Sequence, residues 1–182
     1  MPRIHLIRHG RAAAGFGEAL DPGLDDLGRT QAEAVAARWT GRPAIALAAS
    51  PLRRTQETAA PLARLWSAAP RIEPRIAEIP SPGMALSERA IWLAEVMKGR
   101  WGQQAAELCA WREAVVRALL EVPADTVAFT HFIAINAAAS AAMDDDRVIV
   151  FRPDYCSETV LEHDGRRLKV VQLGAEAETV IR

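Results

Sequence analysis

The stretch that decides the fold is Ile4-His5-Leu6-Ile7-Arg8-His9-Gly10, close to the amino terminus. Its first half, Ile4–Ile7, is a short, mostly apolar run that is typical of a buried strand in a parallel sheet. The runs Ala44–Ala49 and Thr126–Thr130 have the same character. In open α/β sheets, ligands bind beyond the carboxyl ends of the strands. Polar residues that directly follow these three runs are therefore the first candidates for a functional site.

Helical patterns alternate with these runs. Apolar residues at helical spacing predict five helices: Gly28–Trp39, Pro51–Trp66, Leu86–Met97, Ala105–Leu120 and Ile133–Met143. Two further strands are predicted at Glu158–His163 and Leu168–Leu173, joined by an Asp164-Gly165 turn. The pattern predicts one α/β domain over 1–182, a three-layer sandwich with a mostly parallel central sheet. The region 78–103 fits this scheme least, and we expect a helical insertion that forms a cap or a pocket wall.

The bulk properties exclude several classes of protein. The net charge is −1, so we expect neither a nucleic-acid partner nor attraction to an acidic membrane surface. The longest weakly polar stretch, Ala128–Met143, is too short to cross a bilayer. Cys109 and Cys156 are the only cysteines, and their spacing fits neither a disulfide framework nor a zinc site. We therefore expect a reducing, cytoplasmic setting, and the sequence does not indicate an oligomeric state.

Histidine and arginine residues follow all three predicted strands. The first strand leads into Arg8 and His9, the second into Ser50-Pro51-Leu52-Arg53-Arg54, and the third into His131. Arginine guanidinium groups match phosphoryl oxygens with bidentate geometry, and two nearby histidines can supply a nucleophile and a donor. No acidic cluster at these strand ends has the spacing of a magnesium site. The pattern therefore favours a metal-free phosphoryl-transfer site in which side chains supply the positive charge.

Other residues in these stretches receive structural interpretations. Alternation along the strand points His5 away from the side that His9 would use. Arg53 is expected to face solvent, and His163, beside the Asp164-Gly165 turn, is expected to be exposed. Taken alone, His131 is more often a core histidine than a catalyst. The agreement of three strand ends is what favours a functional site.

These residues resemble the histidine phosphatase superfamily, which includes cofactor-dependent phosphoglycerate mutases and many phosphomonoesterases. Leu6-Ile7-Arg8-His9-Gly10 resembles the family's Arg-His-Gly signature, and Leu24-Asp25-Asp26-Leu27-Gly28-Arg29-Thr30-Gln31-Ala32 resembles its Leu-Thr-x-x-Gly-x-x-Gln-Ala helix start. Ser50-Pro51-Leu52-Arg53-Arg54-Thr55-Gln56-Glu57-Thr58-Ala59 is similar to Ser-x-Leu-x-Arg-Ala-x-x-Thr-Ala, an alignment that selects Arg54. Glu78 stands where the family places its acidic residue, and His131 where it places its second histidine. The matches keep the family's order from Arg3 to about Leu173.

The resemblance implies a phosphoglycerate mutase-like fold and a phosphomonoesterase without cofactor or metal. Its partner would be a small phosphorylated metabolite, which passes its phosphoryl group to His9. Arg8, Arg54 and His131 would hold the transferring oxygens. Gly10 is counted with them as a phosphate-binding residue, its carbonyl accepting from the other ring nitrogen of His9. Glu78 would protonate the leaving oxygen and then activate the hydrolytic water.

Departures from the family pattern bear on the substrate. Ala12 and Gly15 occupy positions where mutases carry a hydroxyl residue and an asparagine, which argues against a mutase. Phe132 follows the second histidine in place of glycine, and it either packs or narrows the pocket. All three are assigned to the substrate pocket. Two alternatives stay open: a protein phosphohistidine phosphatase, which needs no acid and is suggested by Arg11-Ala12, and a non-catalytic phospholigand-binding protein on the same fold.

Overall fold

The computed structural model describes residues 1–177, and a six-stranded sheet lies at its centre. Its strands are β1 (Arg3–Arg8), β2 (Ala46–Ala49), β3 (Arg71–Ile72), β4 (Thr126–Thr130), β5 (Glu158–His163) and β6 (Leu168–Gln172). Their order across the sheet is β3-β2-β4-β1-β5-β6. The first four strands in this order pair in parallel, whereas β5 and β6 join antiparallel. The predicted, mostly parallel sheet is confirmed, with an antiparallel edge.

Five α-helices lie where the helical spacing predicts them, with ends that differ by two residues at most. They are α1 (Asp26–Arg38), α2 (Arg53–Leu65), α3 (Leu86–Lys98), α4 (Ala106–Leu120) and α5 (Phe132–Ala142). The side chain of Asp25 accepts a hydrogen bond from the N–H of Gly28 and so caps the start of α1. None of the helices within residues 1–177 has the length and apolar character needed to cross a membrane.

Alternating side chains along the central strands divide the core into two layers. Ile7 of β1 and Phe129 of β4 belong to one buried cluster with Val35 of α1 and Leu62 of α2. Leu6, which points to the opposite face of β1, belongs to a second buried cluster formed with α4 and α5. Because successive strand residues face opposite sides of a sheet, each face carries its own layer of helices. The predicted three-layer sandwich is confirmed.

The strand register brings the candidate residues to one edge of the sheet. Arg8, the last residue of β1, pairs with Thr130, the last residue of β4. β2 lies parallel on the other side of β4 and ends beside Phe129. The residues that follow β1 and β4, His9 and His131, therefore start from the same edge, and the residues after β2 start beside them.

The region 78–103 contains α3 and a 3-10 turn at Trp101–Gln103. Val96 and Trp101 join the buried cluster on the α4 and α5 face of the sheet. On its other side, α3 lies against the loop between β1 and α1, where a Cβ at Gly17 would be 3.1 Å from the Cβ of Ala90. The insertion is therefore packed both on the core and on the loop that follows the Arg-His-Gly segment.

The hairpin of β5 and β6 requires a correction. His163 is buried, whereas its place beside a turn predicts an exposed side chain. Its Nε2 lies 3.0 Å from the carbonyl oxygen of Val122, and its Nδ1 accepts from the N–H of Gly165 at 3.1 Å. The imidazole of His163 thus connects the turn between β5 and β6 to the segment before β4 through hydrogen bonds. That contact joins residues far apart in the chain, so the local turn pattern does not show it.

Candidate active site

Four of the predicted site residues lie together at the carboxyl edge of the sheet. Arg8, His9, Arg54 and His131 are all buried, with exposed fractions of 4%, 7%, 6% and 0%. The centroids of the two histidine rings are 5.2 Å apart. The first turn of α2 brings Arg54 within hydrogen-bond distance of His9. The structure thus brings together two histidines and two arginines from three separate strand ends.

Hydrogen bonds determine which nitrogen of His9 is available for chemistry. Nδ1 lies 2.8 Å from the carbonyl oxygen of Gly10, so it carries the proton and donates it. Nε2 is then unprotonated, and it accepts from Nε of Arg54 at 3.1 Å. A neutral imidazole with its proton on Nδ1 and a lone pair on Nε2 is the form that a nucleophilic histidine requires.

Both histidines are neutral at neutral pH. Burial holds the pKa of His9 well below its ordinary value of 6.5, and the charges of Arg54 and Arg8 lower it further against a smaller effect of the Gly10 carbonyl. Burial also holds the pKa of His131 well below 6.5, again with help from the charge of Arg54. Removing water and adding positive charge both disfavour imidazolium, so the nucleophile keeps its lone pair.

Two glycines let the segment after β1 approach α1 closely. A Cβ at Gly10 would lie 2.6 Å from the carbonyl oxygen of Gly28, and a Cβ at Gly28 would overlap the carbonyl oxygen of Arg11. The N–H of Gly10 donates to Oγ1 of Thr58 at 3.0 Å, and that hydroxyl donates to the carbonyl of Arg54. The N–H of Gly10 is thereby used within the protein. Gly10 positions His9 through its carbonyl, and its assignment to phosphate binding stays a prediction.

Ser50 sets the orientation of His131. Its Oγ lies 2.8 Å from Nε2 of His131, and it also accepts from the N–H of Leu52 at 3.2 Å. A serine oxygen can accept two hydrogen bonds and donate one, so this contact fits either tautomer of His131. Nδ1 is buried without a hydrogen-bond partner among residues 1–177. An unpaired buried polar atom costs about 1–3 kcal/mol, which a ligand that bonds to Nδ1 would offset.

Arg8 is held by contacts that leave part of its guanidinium unpaired. Nη1 donates to the carbonyl of Pro153 at 2.9 Å. The guanidinium carbon lies 3.9 Å from the ring centroid of Tyr155 and 5.1 Å from that of Phe132. Nε is buried with no hydrogen-bond partner in the described part of the chain. Phe132 is itself buried and lies against Arg8, and its contact with substrate stays a prediction.

The segment that carries Glu78 is tied to the end of β4. The hydroxyl of Thr130 donates to the carbonyl of Ile76 at 2.6 Å. Two residues further on, Oε1 of Glu78 accepts from the N–H of Ile79 at 3.0 Å. A hydrogen bond at the strand end therefore places Glu78 beside the residues that follow β4.

Burial raises the pKa of the Glu78 carboxyl. The N–H groups of Ile79 and Ile133 and the charges of Arg54 and Arg8 act in the opposite direction, but burial is the larger effect. A carboxyl group with a raised pKa keeps its proton at a higher pH than an exposed glutamate does. This is the property that a general acid needs, and the sequence did not show which influence would prevail.

The two remaining pocket residues lie in the loop between β1 and α1. Ala12 forms an isolated antiparallel bridge with Leu24. The N–H of Gly15 donates to Oε2 of Glu18 at 2.6 Å. These contacts organise the loop itself, and a contact of Ala12 or Gly15 with substrate stays a prediction.

The structural interpretations of His5 and Arg53 are confirmed. Nδ1 of His5 lies 2.6 Å from Oε1 of Glu158, and its ring packs edge-on against Trp39 with centroids 5.0 Å apart. Arg53 is exposed, and its Nε lies 2.6 Å from Oε1 of Glu57. The side chain of His5 therefore joins β1 to β5, whereas that of Arg53 pairs within α2.

Sequence reasoning missed three residues around the site. Thr58 is part of the motif after β2 but was given no role, and Tyr155 lies in a segment without helical or strand periodicity. Arg89 of α3 is buried. A signal for Arg89 was present, because it stands in the stripe that Leu86 and Val96 define at helical spacing.

The positive charge of the site comes from side chains. Within residues 1–177, no group of three or more His, Cys, Asp or Glu side chains is placed to hold a metal ion. Arg8 and Arg54 are the cations nearest to His9 that act on its pKa. The arrangement is suited to binding a phosphoryl group directly.

Known proteins similar in sequence come from Mycobacterium tuberculosis. The chain is 39% identical over 82 residues to PE-PGRS family protein PE_PGRS11, covering 42% of this chain and 14% of that protein. It is 32% identical over 123 residues to Uncharacterized protein Rv0525, covering 59% of this chain and 61% of that protein. The matches thus span less than two thirds of either relative.

Solved structures with the same fold include several phosphatases. The mycobacterial glucosyl-3-phosphoglycerate phosphatase Rv2419c matches with a TM-score of 0.72 and 23% identity, over 93% of this chain and 97% of that chain. A phosphoserine phosphatase from Entamoeba histolytica matches with a TM-score of 0.75 and 18% identity, over 96% of this chain and 98% of that chain. Identities this low show a shared fold.

Family membership rests on a separate sequence comparison. A family model described as histidine phosphatase superfamily (branch 1) matches residues 4–176. That range contains all of β1 except its first residue, all five helices and every residue of the site described above. The chain belongs to the histidine phosphatase superfamily.

Proposed function

We propose that this protein is a metal-independent phosphomonoesterase that acts on a small phosphorylated metabolite through a phosphohistidine on His9. The observation that carries the proposal is the bonding of His9, whose Nδ1 donates to Gly10 while Nε2 faces Arg54. Two proteins of the same fold are named as phosphatases of glucosyl-3-phosphoglycerate and phosphoserine. Both substrates are small phosphate esters, which supports this choice of substrate class.

In the first step, Nε2 of His9 attacks phosphorus opposite the ester oxygen. A nitrogen–phosphorus bond forms as the phosphorus–oxygen ester bond breaks. For this attack the lone pair of Nε2 has to be released from Arg54, and the phosphoryl group takes the place between them. Arg54 then donates to a phosphoryl oxygen. A buried guanidinium next to the developing negative charge stabilises it, and this lowers the barrier.

Two further unpaired donors complete the phosphoryl site. Nε of Arg8 and Nδ1 of His131 are both buried without hydrogen-bond partners among the described residues. With His131 protonated on Nδ1, they and Arg54 give three donors for the non-bridging oxygens of the transferring group. An anion bound to these donors would restore the hydrogen bonds that they lose on burial.

Glu78 handles the protons of both steps. As a carboxylic acid it protonates the ester oxygen that leaves in the first step. As a carboxylate it accepts a proton from the water that attacks phosphohistidine in the second step, releasing inorganic phosphate and neutral His9. Burial raises the pKa of Glu78, which favours the protonated form that begins the cycle.

The experiment is a phosphatase assay of the purified protein against a panel of phosphorylated metabolites, with His9→Ala as the matched control. A rapid quench with a radiolabelled substrate then traps the phosphoenzyme. We expect protein-bound label that is stable in alkali and lost in acid, as phosphohistidine is, and that His9→Ala lacks. Turnover of substrates by well-folded His9→Ala, or label on another residue, would contradict the proposal.

A further inference from the structure

An arginine on the buried face of α3 has no part in the mechanism above. Arg89 is 8% exposed, and it occupies the helical stripe that also contains Leu86 and Val96. At such a position an apolar side chain would pack without cost. Burying a guanidinium instead is unfavourable unless hydrogen bonds and an opposite charge compensate for it.

The contacts of Arg89 compensate for its burial only in part. Nε donates to Oγ of Ser81 at 2.8 Å, and the guanidinium carbon lies 3.9 Å from the ring centroid of Phe16. Nη1 is buried without a hydrogen-bond partner, and no carboxylate among residues 1–177 forms an ion pair with Arg89. The positive charge of Arg89 and the N–H groups of its Nη1 are thus left without a compensating anion among these residues.

The neighbours of Arg89 place it beside the phosphoryl site. Phe16 belongs to the loop that follows the Arg-His-Gly segment, and Ser81 lies three residues after Glu78. Burial lowers the pKa of Arg54, and the charge of Arg89 lowers it further, so the two guanidinium groups are close enough to repel. An anion bound near both guanidinium groups would relieve this repulsion.

A purely structural role explains less. The Ser81 hydrogen bond and the Phe16 contact would join α3 to the adjacent loops, but each involves Nε or the guanidinium face. Neither accounts for the unpaired Nη1, and neither requires a full charge. A ligand with a negative group accounts for both.

We propose that Arg89 binds a second anionic group, a carboxylate or a phosphate, of the substrate whose phosphoryl group is transferred to His9. This assignment rests on the phosphatase activity proposed above and narrows its substrate class to phosphate esters with a further negative charge. Ser81 holds the guanidinium through Nε, and Phe16 covers one of its faces. Nη1 is left for the anion.

The test compares matched esters. Carboxyalkyl phosphates of increasing chain length are assayed against alkyl phosphates of equal length, and alkanediol bisphosphates form a third series. The quantity measured is the ratio of kcat/KM between charged and uncharged esters. The chain length that gives the highest ratio indicates the distance between the transferring phosphoryl group and the guanidinium of Arg89. Comparison of the carboxylate and bisphosphate series shows whether Arg89 prefers a carboxylate or a phosphate.

We expect Arg89→Ala to reduce this ratio by about 10- to 100-fold, the range for losing one charge-assisted pair. Arg89→Lys should retain part of this ratio, because lysine keeps the positive charge but lacks the planar guanidinium that binds an anion through two hydrogen bonds. Lys98→Ala is the control, since it removes an exposed cation from the same helix that is paired with Glu95. An unchanged ratio in Arg89→Ala, or equal losses for charged and uncharged esters, would overturn the proposal.

A binding measurement separates this inference from the phosphatase activity. Carboxyalkyl phosphonates cannot be hydrolysed, so calorimetry reports their affinity without turnover. Binding that weakens about 10- to 100-fold in Arg89→Ala supports the anion site even if no ester is hydrolysed, an outcome that would reject the proposed activity alone. Equal affinity for wild type and Arg89→Ala would reject the site while leaving the activity intact.

Discussion

Arg54 donates its Nε–H to Nε2 of His9 across 3.1 Å. In the proposed mechanism, the side chain that binds the transferring phosphoryl group therefore forms a hydrogen bond with the lone pair of the attacking nitrogen. This bond and the one from Nδ1 to Gly10 hold the imidazole in a single tautomer and orientation. Substrate binding then requires an exchange, in which Arg54 turns from the ring nitrogen to a phosphoryl oxygen.

Replacing His9 removes the nucleophile with little effect on the fold. We expect His9→Ala to lower turnover by more than about 10³-fold, since the covalent step has no substitute. His9 follows a strand end and its ring bonds only to Gly10 and Arg54, so circular dichroism and thermal unfolding should remain close to wild type. The assay uses the best ester of the panel. Activity like that of wild type in a folded His9→Ala protein would rule out this mechanism.

Adjacent arginines should differ sharply in their effect. Arg54→Ala removes a donor at the transferring group and should cost about 10²- to 10³-fold in kcat. Arg53→Ala removes an exposed partner of Glu57 and should stay within about twofold, since exposed ion pairs contribute little. Steady-state kinetics of both variants provide the comparison. Equal losses would show that the alignment of this block is shifted by one residue.

The role of Glu78 depends on the leaving group. Glu78→Gln should slow phosphoryl transfer from alkyl phosphates by about 10²- to 10⁴-fold, the usual value of general acid catalysis. An activated aryl phosphate should suffer much less, because a stable phenolate leaves without a proton. Pre-steady-state bursts report this step for each substrate. Equal losses would favour the phosphohistidine phosphatase alternative, which requires no acid.

Glu78 should also produce a pH dependence of known sign. Burial raises its pKa above the ordinary 4.5, and the acid is active while protonated, so its contribution is present below the raised pKa and is lost as pH rises through it. The measured quantity is the ratio of kcat/KM for an alkyl ester to that for an aryl ester. Dividing this ratio in wild type by the same ratio in Glu78→Gln cancels the ionisation of the two phosphates, whose pKa values differ. We expect the quotient to fall with rising pH, and a level quotient would contradict the assignment.

Catalysis should not depend on a metal ion. Within residues 1–177 no cluster of side chains is placed to bind one, and Arg8 and Arg54 supply the charge that a metal would otherwise provide. Dialysis against EDTA should therefore leave kcat and KM unchanged. Loss of activity that added divalent metal restores would count against a histidine nucleophile supported by arginines.

Local sequence determined the secondary structure and the main candidates for the site. Short apolar runs and helical spacing are properties of neighbouring residues, so they located β1, β4 and all five helices within two residues. The carboxyl ends of parallel strands lie at the same edge of a sheet. The sequence therefore indicated that His9, Arg54 and His131 lie close together. The choice of Arg54 over Arg53 came from the alignment of this block with the family motif.

The tertiary structure alone decided the chemical state of these residues. Burial raises the pKa of Glu78 and lowers that of His9, and neither side chain is buried by its chain neighbours alone. His163 is buried by Val122, which lies far from it in the chain. The buried position of Arg89 on α3 likewise depends on chain segments that no local sequence pattern connects to this helix. Desolvation and charge depend on distance in space, and folding sets that distance.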